Sequence, residues 1–246
     1  MTKKYKPNSL QELKDLVSDK SVHLGDIDTS LITDMTELFR DSTRKNFDGL
    51  ETWDTLNVTT MKGMFYRAKY FNHPIGNWNV SKVEDMSYMF CEAPAFDQPL
   101  EKWDVSNVHY MDSMFAWAYS FNQPIERWNV SNVYNMRAML YFAKSFNQPL
   151  NSWNVSNVYT ITCMFGGAKS FNQPLDKWDT SGIQEMAYAF SECYEFNQNI
   201  DSWDTSQVTY MDGMFDRAIC FNQPLNSWKT GNVKFMRRMF CGASSF

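Results

Sequence analysis

The sequence predicts an α/β repeat protein, a right-handed solenoid in which each 25-residue coil contains short strands and a short helix. FNQPIERW at 121–128 returns as FNQPLDKW at 171–178 and as FNQPLNSW at 221–228. With Phe71 as repeat position 1, phenylalanine recurs every 25 residues up to Phe246, and tryptophan holds position 8 from Trp78 to Trp228. A fixed period of about 20–50 residues is typical of stacked repeats, so the repeat decides how every other feature is interpreted.

The apolar spacing within a unit predicts the elements of each coil. Apolar residues at positions 16, 19, 20 and 23 follow the i, i+3, i+4, i+7 spacing of one helix face, as in Met86, Met89, Phe90 and Ala93. Positions 8, 10 and 13 carry tryptophan and β-branched residues, which favour strands. Asn-Gln-Pro at positions 2–4 predicts a turn, and a parallel crossover of this kind favours a right-handed coil.

The chain divides into three predicted parts. Residues 1–19 form an N-terminal helical cap, because Ser9 and Glu12 have the spacing of a capping box before an apolar run. Residues 20–46 form a degenerate first coil, and 47–246 form eight repeats. The array stops at the first residue of another unit. We therefore expect either that this chain is part of a longer array or that it self-associates through an uncapped C-terminal end.

Composition excludes several classes of function. The net charge of −5 and the pI of about 5.2 give no electrostatic footprint for nucleic acid. No apolar run approaches the roughly 18 residues of a membrane-spanning helix. The N-terminal stretch MTKKYKPNSLQELKDLV lacks the apolar core of a signal peptide, which makes a cytoplasmic location one alternative.

No repeated constellation predicts chemistry. Position 9 alternates between Asp and Asn, and an amide cannot serve as a general acid or base, whereas either side chain can close an Asx-turn. The repeated serines have no repeated histidine partner, the five cysteines form no CxxC pair, and the three histidines are scattered. We therefore expect no catalytic residue, no cofactor, no metal site and no enzymatic activity.

Two groups of aromatic residues lie where the repeat does not require them, and they are the candidate binding site. Trp117 and Phe142 share position 22 in consecutive coils, close in phase to Tyr119 and Tyr141. The second group, at position 14, comprises His109, Tyr134 and Tyr159. Exposed aromatic clusters are often binding hot spots, although local packing would explain them equally well. Charged residues at the same variable positions, including Glu92, are interpreted as ordinary solvated side chains.

The motifs resemble a known family. FNQPLNSWNVSNV at 146–158, together with YKPNSLQELKDLV and LGDIDTSLITDMTELF near the N-terminus, resembles the 25/26-residue repeat of BspA-like leucine-rich-repeat surface proteins and related lipoproteins. The resemblance implies a leucine-rich-repeat-like solenoid, at the cell surface or secreted, that binds a protein or a glycan in an adhesion-type role and has no catalytic residues. The alternative is an intracellular scaffold or regulatory protein–protein interaction module.

Overall fold

Successive 25-residue units stack as coils in the computed structural model, which describes residues 3–246. One parallel bridge at repeat position 15 joins each coil to the next. The bridged pairs are Asp34–Thr60, Thr60–Asp85, Asp85–Tyr110, Tyr110–Asn135, Asn135–Thr160, Thr160–Glu185, Glu185–Tyr210 and Tyr210–Phe235. The predicted repeat solenoid is confirmed, and its sequence period is its stacking register. The handedness of the coil and its likeness to leucine-rich repeats stay predictions.

One α-helix, α1 (Leu10–Ser18), lies at the N-terminal end of the described chain. Ser9 Oγ accepts from the Glu12 amide at 3.3 Å, which is the first half of the predicted capping box. The Glu12 carboxylate reaches one residue further back and accepts from the Asn8 amide at 2.9 Å rather than from the Ser9 amide. Leu13 and Val17 of α1 are buried in the continuous core. The first two residues of the predicted cap 1–19 lie outside the described residues.

A buried arginine ties α1 to the first coil. Arg44 Nη2 donates to the carbonyl oxygens of Val17 and Asp19, both at 3.1 Å, and so satisfies acceptors that the helix itself cannot use. Two short 3-10 helices, Leu24–Asp26 and Leu50–Thr52, follow in the next two coils. The degenerate stretch therefore continues the stack and connects the cap to the regular repeats.

The helix expected at repeat positions 16–23 does not form, and this part of the prediction is wrong. Alternate amides in this stretch donate to the next coil: Met61 to Asp85 O at 3.0 Å and Gly63 to Ser87 O at 2.8 Å. The amides between them close tight turns, as Met64 does to Met61 O at 3.1 Å. Because these amides are already used, no i−4 helical ladder can form. The bridges are isolated too, so the short strands expected at positions 8–13 are absent from residues 3–246.

Two positions of every coil have left-handed backbone. Apart from Gly49, each described residue with positive φ lies at position 18 or 22, as Gly63 (φ 58°) and Arg67 (φ 56°) do in one coil. Positive φ at the third residue of a turn is the mark of a type II turn and favours glycine. Most coils place another residue there, which costs about 1–2 kcal/mol per site. Intercoil hydrogen bonds and core packing hold the backbone in this conformation.

The core is a column of stacked side chains that repeats coil by coil. Phe90 and Phe96 stack with ring centroids 3.9 Å apart, and Phe71 lies 5.5 Å from Phe96 in the next coil. The Trp103 and Trp128 rings lie 6.4 Å apart and nearly parallel, as the solenoid requires. Each tryptophan of position 8 also donates its indole N–H to a backbone carbonyl at position 5 of the preceding coil. These donors are Trp53, Trp78, Trp103, Trp128, Trp153, Trp178, Trp203 and Trp228.

Polar columns hold the turns on the opposite edge of the coil. Asn122 Oδ1 accepts from the Asn147 amide at 2.9 Å and from Gln148 Nε2 at 3.0 Å, and the same pair of bonds recurs along position 2. At position 9 the side-chain oxygen of Asp or Asn accepts from the amide two residues later, as Asn79 does from Ser81 at 3.0 Å. Asp and Asn interchange there because both supply this acceptor.

The final coil leaves apolar side chains exposed. Phe246 is 54% exposed, Met236 40% and Phe235 36%. Self-association through this end stays a prediction. Within residues 3–246, no helix combines the length and the apolar character needed to cross a membrane.

Candidate functional site

The two halves of each coil carry different side chains. Eleven of the twelve tyrosines lie at repeat positions 14–25, which we call the tyrosine half, whereas positions 2–12 carry the amide and Asx columns. The eleven are Tyr66, Tyr70, Tyr88, Tyr110, Tyr119, Tyr134, Tyr141, Tyr159, Tyr188, Tyr194 and Tyr210. Tyrosine presents a large amphipathic surface and loses little entropy on binding, so the tyrosine half carries the side chains typical of binding faces.

Four aromatic side chains of this half form one cluster, the aromatic patch: Trp117, Tyr119, Tyr141 and Phe142. The Trp117 and Phe142 rings stack in parallel, 4.2 Å apart with 2° between their planes. Tyr141 meets Trp117 edge-on at 5.7 Å, and Tyr119 does so at 6.0 Å. The structure therefore brings together all four residues that the repeat phase predicts to be neighbours.

The aromatic patch is half-buried, so it is neither core nor free surface. Its inner side lies on glycines of the next coil: a Cβ on Gly167 would come within 2.8 Å of the Phe142 ring, and one on Gly166 within 3.0 Å of the Tyr141 ring. Two adjacent glycines thus make room for the face of the Phe142 ring and for one edge of the Tyr141 ring, which is perpendicular to it. Phe142 therefore covers one face of the Trp117 ring, and Trp117 also lines a pocket.

Beside Trp117 lies a pocket of about 500 Å³, lined by Glu92, Pro94, Trp117 and Tyr119. Its volume is within the usual range for small-ligand sites, about 300–1,000 Å³. Glu92 accepts from Arg67 Nε at 3.2 Å and from the Tyr66 hydroxyl at 3.3 Å. Sequence reasoning missed Glu92 and Pro94 as part of a site. The signal that could have found them is their phase, because both lie one coil before Trp117 and Tyr119.

The second predicted group is only partly assembled. His109 and Tyr134 rings lie 5.9 Å apart, and Tyr110, which the sequence did not single out, meets Tyr134 edge-on at 4.7 Å. A hydrogen bond with Tyr110, reinforced by burial, raises the pKa of Tyr134 to about 12. Tyr159 joins the column through its amide, which donates to Tyr134 O at 3.1 Å, while its side chain is 41% exposed.

A larger groove of about 780 Å³ lies on the amide half, and its carboxylates hold neighbouring turns. Asp201 accepts from the Ser227 amide at 2.8 Å and from its hydroxyl at 2.9 Å. Hydrogen bonds from the amide and hydroxyl of Ser206 lower the pKa of Asp204. Both acids thus accept hydrogen bonds from turn donors. Among residues 3–246, no three His, Cys, Asp or Glu side chains are grouped closely enough to hold a metal ion.

Buried cysteines are packing residues. Cys193 donates its thiol to Phe165 O at 2.7 Å, and burial raises its pKa. Burial likewise raises the pKa of Cys91 to about 12, so neither thiol is a nucleophile at neutral pH. Every cysteine in the described range is free.

Family comparison agrees with the repeat. The model of the family described as Mycoplasma protein of unknown function, DUF285, matches residues 8–118, 98–193 and 173–246. The chain belongs to the DUF285 family. Its three overlapping matches are what tandem repeats produce, so a bacterial repeat-protein family is shown. No curated protein and no solved structure matches this DUF285 chain.

Proposed function

We propose that this DUF285 protein is a non-enzymatic binding solenoid whose aromatic patch contacts a protein or glycan. The observation that carries the proposal is the Trp117–Phe142 stack, which stands beside an open pocket at a position where other coils carry Arg67, Glu192 or Gly242. No core requirement therefore selects aromatic residues there. Stacked aromatic rings at a surface phase are typical of binding hot spots.

Non-enzymatic function is supported by how polar groups are distributed. Catalysis needs different groups that converge on one point, whereas a translational repeat spreads like groups along a line. The carboxylates of the larger groove fit this description, since Asp201 and Asp204 hold turns. The resemblance to BspA-like repeats supports an adhesion-type role at the cell surface or after secretion, and a leucine-rich-repeat-like relationship.

An intracellular scaffold or regulatory interaction module is the second candidate. Free cysteines, of which Cys220 and Cys241 are exposed, favour a reducing compartment. Fractionation of the bacterium that encodes the protein separates the two, because a surface protein is cleaved by protease added to intact cells and a cytoplasmic scaffold is protected.

Binding is tested with beads coated with the protein and applied to cultured epithelial cells. The Trp117→Ala/Phe142→Ala variant should lose most of the wild-type adherence. The matched control is Tyr188→Ala/Tyr210→Ala, which removes two exposed rings elsewhere on the tyrosine half. Equal adherence of all three proteins, or adherence of wild type no higher than that of albumin-coated beads, contradicts the proposal.

A further inference from the structure

One pocket combines an electron-rich ring with a carboxylate. The Trp117 indole lines it with Tyr119, Pro94 and Glu92. Ring faces carry negative quadrupole potential, strongest for tryptophan, and they attract ammonium and guanidinium groups. We propose that this pocket binds a lysine or arginine side chain of a partner protein, an inference that rests on the binding function proposed above.

The chain itself uses this type of contact on the same half of the coil. Lys144 Nζ lies 4.2 Å from the Tyr119 ring centroid, and Lys169 Nζ lies 4.6 Å from that of Tyr194. Both lysines hold repeat position 24. A cation at this phase therefore reaches an aromatic ring of an adjacent coil.

Trp117 lacks the cation that such tyrosines have. In the coil before the pocket tyrosine Tyr119, position 24 is Pro94 rather than the lysine found at Lys69, Lys144 and Lys169, so no lysine enters the pocket from that coil. Within residues 3–246 no lysine or arginine lies over the Trp117 ring, although such contacts are made to Tyr66, Tyr70, Tyr119 and Tyr194. Pro94 thus brings no cation to the pocket and contributes an apolar wall to it.

Glu92 can accept a hydrogen bond from an incoming ammonium or guanidinium group. A carboxylate accepts about four hydrogen bonds, and Glu92 accepts two, from Arg67 and Tyr66. Its pair with Arg67 is a surface pair, since the Arg67 side chain is 47% exposed, and such pairs are readily exchanged. A neutral sugar would gain the ring contact without the charge attraction. The pocket chemistry therefore favours a basic side chain, and the net charge of −5 favours a basic partner.

The test is a titration of the full chain labelled with ¹⁵N in its nine indoles, with the Trp117 signal assigned by its loss in Trp117→Phe. The probes are a tetralysine peptide with blocked ends, the same peptide with Nε-acetylated lysines, and maltotetraose. We expect tetralysine to shift the Trp117 signal saturably, with an affinity about tenfold above that of the acetylated peptide. Added salt should weaken the binding of tetralysine, because it screens the charge attraction.

Two charge-removing variants give a matched comparison. Glu92→Gln should weaken tetralysine binding about fivefold, which is the expected loss of one partly exposed charge contact. Glu192→Gln is the control, because Glu192 holds the same repeat position and is paired with Arg217 at 3.3 Å, but lies beside Gly167 rather than Trp117. It should leave the affinity unchanged. Melting temperatures of both variants confirm that the fold is intact.

The inference is overturned if tetralysine gives no saturable shift, if the acetylated peptide binds equally well, or if Glu192→Gln weakens binding as much as Glu92→Gln. A Trp117 shift caused by maltotetraose alone would overturn it in favour of a glycan and leave the proposed binding function standing. Failure of the bead experiment, by contrast, removes the binding function whatever the peptide does.

Discussion

Removing a central tryptophan should unfold much of the array. Trp153 is 3% exposed, and its indole N–H donates to Ile125 O at 3.1 Å. Truncating a buried aromatic to alanine costs about 3–5 kcal/mol. Leaving the Ile125 carbonyl without its donor adds about 1 kcal/mol. We therefore expect Trp153→Ala to lower the free energy of unfolding by about 4–6 kcal/mol.

The last coil provides the comparison. Trp228 makes the same bond, to Ile200 O at 3.0 Å, but its ring is only half-buried because no coil follows it among the described residues. Stability in a solenoid is close to a sum of coil and interface contributions, and a central coil has two interfaces. Trp228→Ala should cost about half as much as Trp153→Ala, in proportion to the apolar area it buries.

Urea unfolding followed by circular dichroism measures both variants, and Trp153→Phe separates the ring from the hydrogen bond. The phenylalanine variant should lose only about 1–2 kcal/mol, since it keeps most of the buried ring area. Equal losses for Trp153→Ala and Trp228→Ala, or a negligible loss for Trp153→Ala, would refute the reasoning that position 8 is the stacked core.

Three further changes test the turns and columns. Ala138→Gly should stabilise the protein by about 0.5–1 kcal/mol in thermal melts, because glycine adopts the positive φ of 53° without strain. Ala116→Gly is the control: this buried site has no positive φ, so the same change should destabilise the protein. Asn122→Ala should lower the free energy of unfolding in urea by about 1 kcal/mol or more, because two donors lose their acceptor. Asn122→Asp keeps a side-chain oxygen there and should have close to the wild-type stability. Hydrogen bonds from Ser30, then the charge of Lys6, lower the Asp28 pKa from 3.8 to about 2. Wild type should therefore melt at a higher temperature than Asp28→Asn. This difference should be at its full size above about pH 4 and should disappear as the pH falls from 4 to 2.

The candidate site shows where sequence reasoning succeeded and where it failed. Because residues of equal phase stack, the positions of Trp117 and Phe142 in consecutive coils were enough to predict that their rings are neighbours. The half-burial of Phe142 was not predictable, since it depends on Gly167 leaving room for the ring where a side chain would collide with it. Glu92 was interpreted as an ordinary solvated residue because a charge at a variable position carries no signal of the pocket beside it.

By itself, the sequence determined the stacking register, the buried columns and the capped helix, because a strict period forces equivalent residues into equivalent surroundings. Only the tertiary structure decided the backbone path of positions 16–23. Apolar spacing of i, i+3, i+4, i+7 fits a helix, but it fits equally a chain of tight turns that buries the same side chains. Hydrogen bonds decide between them: Gly63 and Met61 donate to the next coil, and bonds between coils are invisible to the periodicity within one.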